Sequence, residues 1–240
     1  MLSHGMPFLA AGPPDRIPYP AFSPPVQEVI LRAITTAWEV VRSRAAARTV
    51  PRREVPITLD LQRELNRLLE LDNDSGFTSS MFETVIRGGE IENVDATSPE
   101  RRPDLTFRLA GATPPNTARE HYGMFAECKL IDERHSLRSY CDTGLRRFVE
   151  CEYGWAMPHA LMLAYALSSP EPTDLIGFLR GSTEYRTLGE PTLLSAPPVD
   201  RVQSIHDRHR NGVDAASGPV ELIHVWLPLV PAPAAAISPA

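Results

Sequence analysis

Apolar residues recur at intervals of three and four along Val26, Val29, Ile30, Ala33, Ile34, Ala37, Trp38 and Val41, which predicts an amphipathic helix from about Pro25 to Ala47. A second helix is expected over roughly Leu59 to Leu71. After Gly76 the pattern shortens to alternating runs. Phe82 to Arg87, Asp104 to Leu109 and Tyr122 to Ile131 read as strands, with turn signals at Gly88-Gly89, Gly111 and Pro114-Pro115. Helical spacing returns over Leu137 to Glu150 through Leu137, Cys141, Leu145 and Phe148. Ala160 to Leu167 is a nearly unbroken apolar run, which suits either a strand buried on both faces or a buried helix segment. A short helix over Thr173 to Leu179 and a last strand over Val220 to Leu227 complete the pattern. The order is helix, helix, three strands, helix, strand, helix, strand, with no internal repeat.

Prolines at 7, 13, 14, 18, 20, 24 and 25 forbid helix in residues 1–25 and predict an extended, proline-rich N-terminal arm. The stretch 231–240, rich in Pro and Ala, reads as a flexible tail, leaving 26–230 as a single domain of ordinary size. No apolar run approaches the length of a membrane span, and no secretory signal is recognisable at the N-terminus, so a cytoplasmic protein is expected. Cys128, Cys141 and Cys151 are odd in number and lack paired spacing, which argues against disulfides and structural zinc. A net charge of -6 means that any nucleic-acid contact must come from a local basic face or a partner.

Lys129 changes this picture, because it is the single lysine among 24 Lys and Arg residues and lies in the middle of a predicted strand. Arginine is a planar fork with a permanent charge, whereas lysine is a compact ammonium that fits beside a reacting water. Alternation along the strand puts Glu127 and Lys129 on one face and Cys128 on the other. Two charges in an otherwise apolar strand are costly to bury unless a metal or a paired charge compensates. Asp104, after Pro103 at the start of the neighbouring strand, supplies a second carboxylate of the kind a divalent cation takes. A buried Glu127–Lys129 ion pair with no chemistry is the plain alternative.

Pro103-Asp104 followed by Glu127-Cys128-Lys129 resembles the signature of the PD-(D/E)xK superfamily of restriction-endonuclease-like nucleases. The resemblance runs from the helix near Glu64 to about Leu167. It implies an α/β fold with an αβββαβ core, in which a central mixed sheet is flanked by helices. It implies Asp104 and Glu127 as ligands of Mg²⁺ or Mn²⁺, with Lys129 at the attacking water. Such families commonly add a carboxylate from the first core helix. Glu64 is the candidate, since it borders the stripe of Leu61, Leu65 and Leu68 while Glu70 faces away; Glu83 is its rival.

For nucleic-acid contacts, Arg147 stands out among Arg138, Arg146 and Arg147 on the helix after the motif strand. A second basic cluster is Ser204, His206, Arg208, His209 and Arg210, with His206 and Arg208 the preferred residues. Its two histidines lack a third ligand of suitable spacing, so zinc is not expected. Tyr153, Trp155, Met157, Met162 and Tyr165 lie in an apolar context and read as core, not as a platform for bases. The expected function is Mg²⁺-dependent hydrolysis of DNA phosphodiester bonds, in restriction or anti-phage defence, with a homodimer or larger defence complex compatible with the fold. The alternative is a non-catalytic nuclease-fold subunit acting as a nucleic-acid-binding or assembly module.

Overall fold

The computed structural model describes residues 17–46, 53–71, 75–93, 97, 100–111, 113–167, 170–194, 199–208 and 217–229. Most of the proline-rich arm and the tail 231–240 lie outside the described residues, as do His209 and Arg210. The described end of the arm belongs to the core. Tyr19 and Phe22 are buried, and the Tyr19 N–H donates to the Ala156 carbonyl at 2.7 Å.

The chain forms a mixed α/β fold with a central six-stranded sheet flanked by helices. Its strands are β1 Leu105–Phe107, β2 Met124–Ile131, β3 His159–Ala166, β4 Thr187–Leu194, β5 Arg201–His206 and β6 Val220–Pro228. They lie in the order β1-β2-β3-β6-β5-β4. β2, β3 and β6 run parallel, while β1, β4 and β5 pair antiparallel with their neighbours. β3 is buried over nearly its whole length, which explains an apolar run without alternation and settles it as a strand.

The expected first strand survives only as isolated antiparallel bridges, Phe82↔Leu109 and Ile86↔Thr106. Strands β4 and β5 were not expected. Gly189 and Pro191 interrupt β4 and resemble a turn in sequence; both are tolerated because β4 is an edge strand, with a register shift between Leu188 and Thr192.

Helix α1, Pro24–Ala46, starts on two prolines that need no intrahelical partner for their missing N–H groups. Trp38 of α1 stacks on Tyr165 of β3 at 5.3 Å between ring centroids and 8° between planes. Helix α2, Glu54–Glu70, lies on the same side, where the Tyr165 hydroxyl donates to Thr58 Oγ1 at 3.1 Å. Asn66 brackets Val85 by accepting from its N–H at 2.8 Å and donating to its carbonyl at 3.1 Å. That pair holds α2 against the bridge-forming segment.

The predicted helix from Leu137 is divided into α3, Leu137–Tyr140, a π-helical turn, Cys141–Leu145, and α4, Arg146–Val149. This segment covers the opposite face of the sheet. A Cβ on Gly144 would stand 2.5 Å from Met162 Cε and 3.3 Å from Lys129 Cγ. The absence of a side chain there lets the π-turn lie close against β2 and β3. Helix α5, Pro172–Arg180, opens on a capping box between Glu171 and Asp174.

Candidate functional site

The site arises where the sheet stops short. β1 opposes β2 only as far as Leu105↔Ala126, so among the described residues no strand bonds the β2 amides beyond that point on that edge. Carboxylates take the place of the missing strand. Asp104 Oδ2 accepts from the Cys128 N–H at 2.8 Å, and Glu54 Oε2 accepts from the Leu130 N–H at 3.3 Å. Both carboxylates thereby face the residue between those amides. The Lys129 Nζ is 3.4 Å from Glu54 Oε1, 3.7 Å from Asp104 Oδ2 and 3.0 Å from Glu127 Oε2. Three carboxylates from α2, the entry to β1 and β2 thus surround one ammonium.

Glu127 is completely buried. Its Oε1 accepts the Tyr153 hydroxyl and lies 3.7 Å from the Arg147 guanidinium, whereas its Oε2 has no hydrogen bond despite the nearby ammonium. Burial, reinforced by the charge of Asp104, pushes the Glu127 carboxyl up to about 7. Burial alone would drive the Lys129 ammonium down; the charges of Glu127, Asp104 and Glu54 outweigh it and hold the group above its ordinary range. Lys129 is therefore held as a charged ammonium among the three carboxylates.

The sequence-predicted trio of Asp104, Glu127 and Lys129 is brought together, and Arg147 stands beside Glu127. Glu64 does not join them, which corrects the expectation for that helix. It is buried between Arg44, which donates to Oε1, and Arg67, 2.7 Å from Oε2. Those hydrogen bonds overcome the burial that would raise its pKa and leave it lowered. The carboxylate that α2 supplies is Glu54, ten residues earlier and about 15 Å along the axis at 1.5 Å per residue. Glu83 pairs with Arg119, away from the trio.

His206 and Arg208 also require correction, because neither offers its polar atoms to a nucleic acid. His206 is fully buried in a directed hydrogen-bond chain. Its Nδ1 lies 2.7 Å from the Tyr185 carbonyl, which can only accept, so the Nδ1 carries the proton. His206 Nε2 must then accept from the Ser204 hydroxyl at 2.7 Å, Ser204 Oγ accepts from His224 Nε2 at 2.8 Å, and His224 Nδ1 accepts from the Tyr140 hydroxyl at 2.9 Å. Every ring nitrogen is satisfied in the neutral form. Burial pushes His206 down to about 4 and His224 down to about 3.

Arg208 donates to the carbonyls of Gly154 at 3.1 Å, Trp155 at 2.6 Å, Met157 at 2.5 Å and Ser217 at 3.2 Å. It fastens the loop that carries Tyr153 to Glu127. The expectation that Tyr153, Trp155, Met157, Met162 and Tyr165 are core residues holds, since all five are buried.

All-oxygen donors, two of them part-exposed and the third carrying a buried Oε2 with no hydrogen bond, are what a hard divalent cation takes. As they stand they converge on Lys129. Among the described residues no group of three or more His, Cys, Asp or Glu side chains is arranged so that it could hold a metal ion, and no helix is long and apolar enough to cross a membrane. Comparison with protein-family models, curated proteins and solved structures finds no match to this chain.

Proposed function

We propose that this chain is a metal-dependent nuclease of the restriction-endonuclease-like type that hydrolyses DNA phosphodiester bonds, with restriction or anti-phage defence as its setting. The observation that carries the reading is the meeting of Glu54, Asp104 and Glu127 around Lys129 at one edge of the sheet. It is supported by the succession of α2, the bridge-forming segment, β1, β2, the α3–α4 segment and β3, which follows the αβββαβ order of that superfamily.

Asp104, Glu127 and Glu54 would hold Mg²⁺ or Mn²⁺ only after turning from Lys129, on which they now converge and where they form no metal cage. When bound, the ion supplies charge neutralisation at the phosphodiester and a more acidic water. The remaining work falls to the chain's own groups. Lys129, charged and fixed by three carboxylates, donates a hydrogen bond to the attacking water and orients it. Tyr153 and Arg147 keep Glu127 in place from the buried side. The backbone amides of Cys128 and Leu130 hold Asp104 and Glu54 toward Lys129.

The test is cleavage of supercoiled plasmid and single-stranded DNA with Mg²⁺ or Mn²⁺ by the protein and by Asp104→Ala and Lys129→Ala. Loss of cleavage in both variants is expected; cleavage that survives both removes the proposal. A second reading, a non-catalytic subunit of the same fold, draws on the engagement of all three carboxylates by Lys129. Calorimetry separates the two: Mn²⁺ heat that disappears in Glu127→Ala favours the enzyme, and heat no greater than that of the variant favours the subunit.

A further inference from the structure

We infer that Arg101 and Arg147 form a phosphate-holding pair on the rim of the carboxylate centre, with Glu152 keeping both guanidiniums in position until a nucleic-acid backbone takes them. The inference rests on the nuclease reading and adds the residues that would grip the substrate. Arg101 precedes β1 and Arg147 lies on α4, yet both address the same oxygen. Arg101 Nη1 is 3.3 Å and Arg147 Nε 3.9 Å from Glu152 Oε2.

Glu152 is built into that position. Its N–H donates to the Arg147 carbonyl at 2.8 Å, directly after Cys151, whose φ of 56° turns the chain in a left-handed conformation that non-glycine residues rarely adopt. Arg208 fastens the following residues. The two arginine side chains are 40% and 38% exposed, so they reach solvent while Glu152, at 21%, lies behind them. Neither contact with Glu152 has the geometry of a hydrogen bond, so both half-exposed guanidiniums keep donors for a ligand.

Charge assigns the ligand class. Glu54, Asp104 and Glu127 outnumber Lys129, which leaves the centre negative and repels a polyanion. Arg147 lies 3.7 Å from Glu127, so a phosphate bound by the pair is held at the edge of that negative centre. A carboxylate shared by two arginines occupies the place a phosphate oxygen would take, and arginine suits phosphate through its several donors in a fixed fork.

The test is fluorescence anisotropy of labelled duplex and single-stranded DNA in EDTA over a range of salt, for the wild type, Arg101→Gln and Glu152→Gln. Arg101 is chosen because it does not touch Glu127. Loss of one phosphate contact is expected to weaken binding by about eightfold at roughly 0.1 M salt and to lower the slope of log K against log salt by about 0.9. Glu152→Gln is expected to tighten binding by up to about the same factor, since it removes the competing carboxylate. A misfolded variant would not bind DNA more tightly, so this gain is independent of folding. If the wild type cleaves plasmid with Mg²⁺ while both variants bind as it does, or if Glu152→Gln binds more weakly, the pair is overturned and the nuclease reading stands. A wild type that neither binds nor cleaves overturns both.

Discussion

Acidification should separate the two buried histidines from the buried glutamate, because these groups push stability in opposite directions over one pH range. His206 and His224 have folded-state values of about 4 and about 3, below the roughly 6.5 of an unfolded chain. Their contribution is complete above the unfolded value and is lost as the pH falls toward the folded one. Between about pH 7 and 5 the unfolded chain takes up protons that the native chain refuses, which removes roughly 2 kcal/mol per histidine and about 4 kcal/mol together.

Glu127 acts with the other sign. Its folded value of about 7 lies above its ordinary 4.5, so the native chain takes up the proton first and the same acidification returns roughly 2 kcal/mol. His121, also pushed down by burial, adds an equal loss to each protein compared and drops out. Relative to that shared background, the wild type should lose roughly 2 kcal/mol between about pH 7 and 5, Glu127→Gln roughly 4, and the double variant H206Q/H224Q should gain roughly 2. Urea unfolding followed by circular dichroism at about pH 7, 6 and 5 measures these slopes, which matter more than the stability of each variant at any single pH. A double variant that loses as much stability as the wild type would refute the neutral, fully bonded relay. A Glu127→Gln slope equal to the wild type's would refute the raised carboxyl.

Lys129→Arg should lower the single-turnover cleavage rate by about 10²- to 10⁴-fold, because a planar fork replaces the compact ammonium that three carboxylates surround; an undiminished rate contradicts this. Gly144→Val should cost about 1–3 kcal/mol in urea unfolding, since its side chain meets Met162 and Lys129. Gly144→Ala should cost less, because the Met162 terminal methyl can swing aside. Arg208→Met leaves four carbonyls without their donor and should cost about 3 kcal/mol, with faster hydrogen exchange at the amides of residues 154–157 as its local sign.

The part of the site that follows a short-range rule was legible in the sequence. Glu127 and Lys129 share a face because a strand alternates, and the rarity of lysine singled out the second of them. Glu54 was hidden by helix-start physics. Pro56 stands in the first turn of α2, where a missing N–H costs nothing, so the helix begins before its apolar stripe does. A carboxylate in that turn, seven residues ahead of Leu61 where the stripe begins, is the signal that would have found it. His206 and Arg208 misled for another reason: charge and polarity in sequence do not tell a solvated cluster from one whose donors are used inside. β5 and β6 bury His206 and His224 and supply Ser204 between them, a long-range arrangement that no local spacing encodes. β4 was missed because its glycine and proline resemble a turn unless the strand is known to lie at the edge.

The brevity of β1 has a consequence for how this centre tolerates change. Asp104 and Glu54 are anchored to main-chain amides, so the identity of the side chains at positions 128 and 130 leaves that anchorage untouched, whereas proline at either position would release a carboxylate. An insertion that let β1 continue alongside β2 would satisfy those same amides with ordinary sheet bonding and evict both acids. The chemistry proposed for this chain thus depends on an unfinished piece of secondary structure, and completing it would be a means of switching the protein off without altering one of its reactive groups.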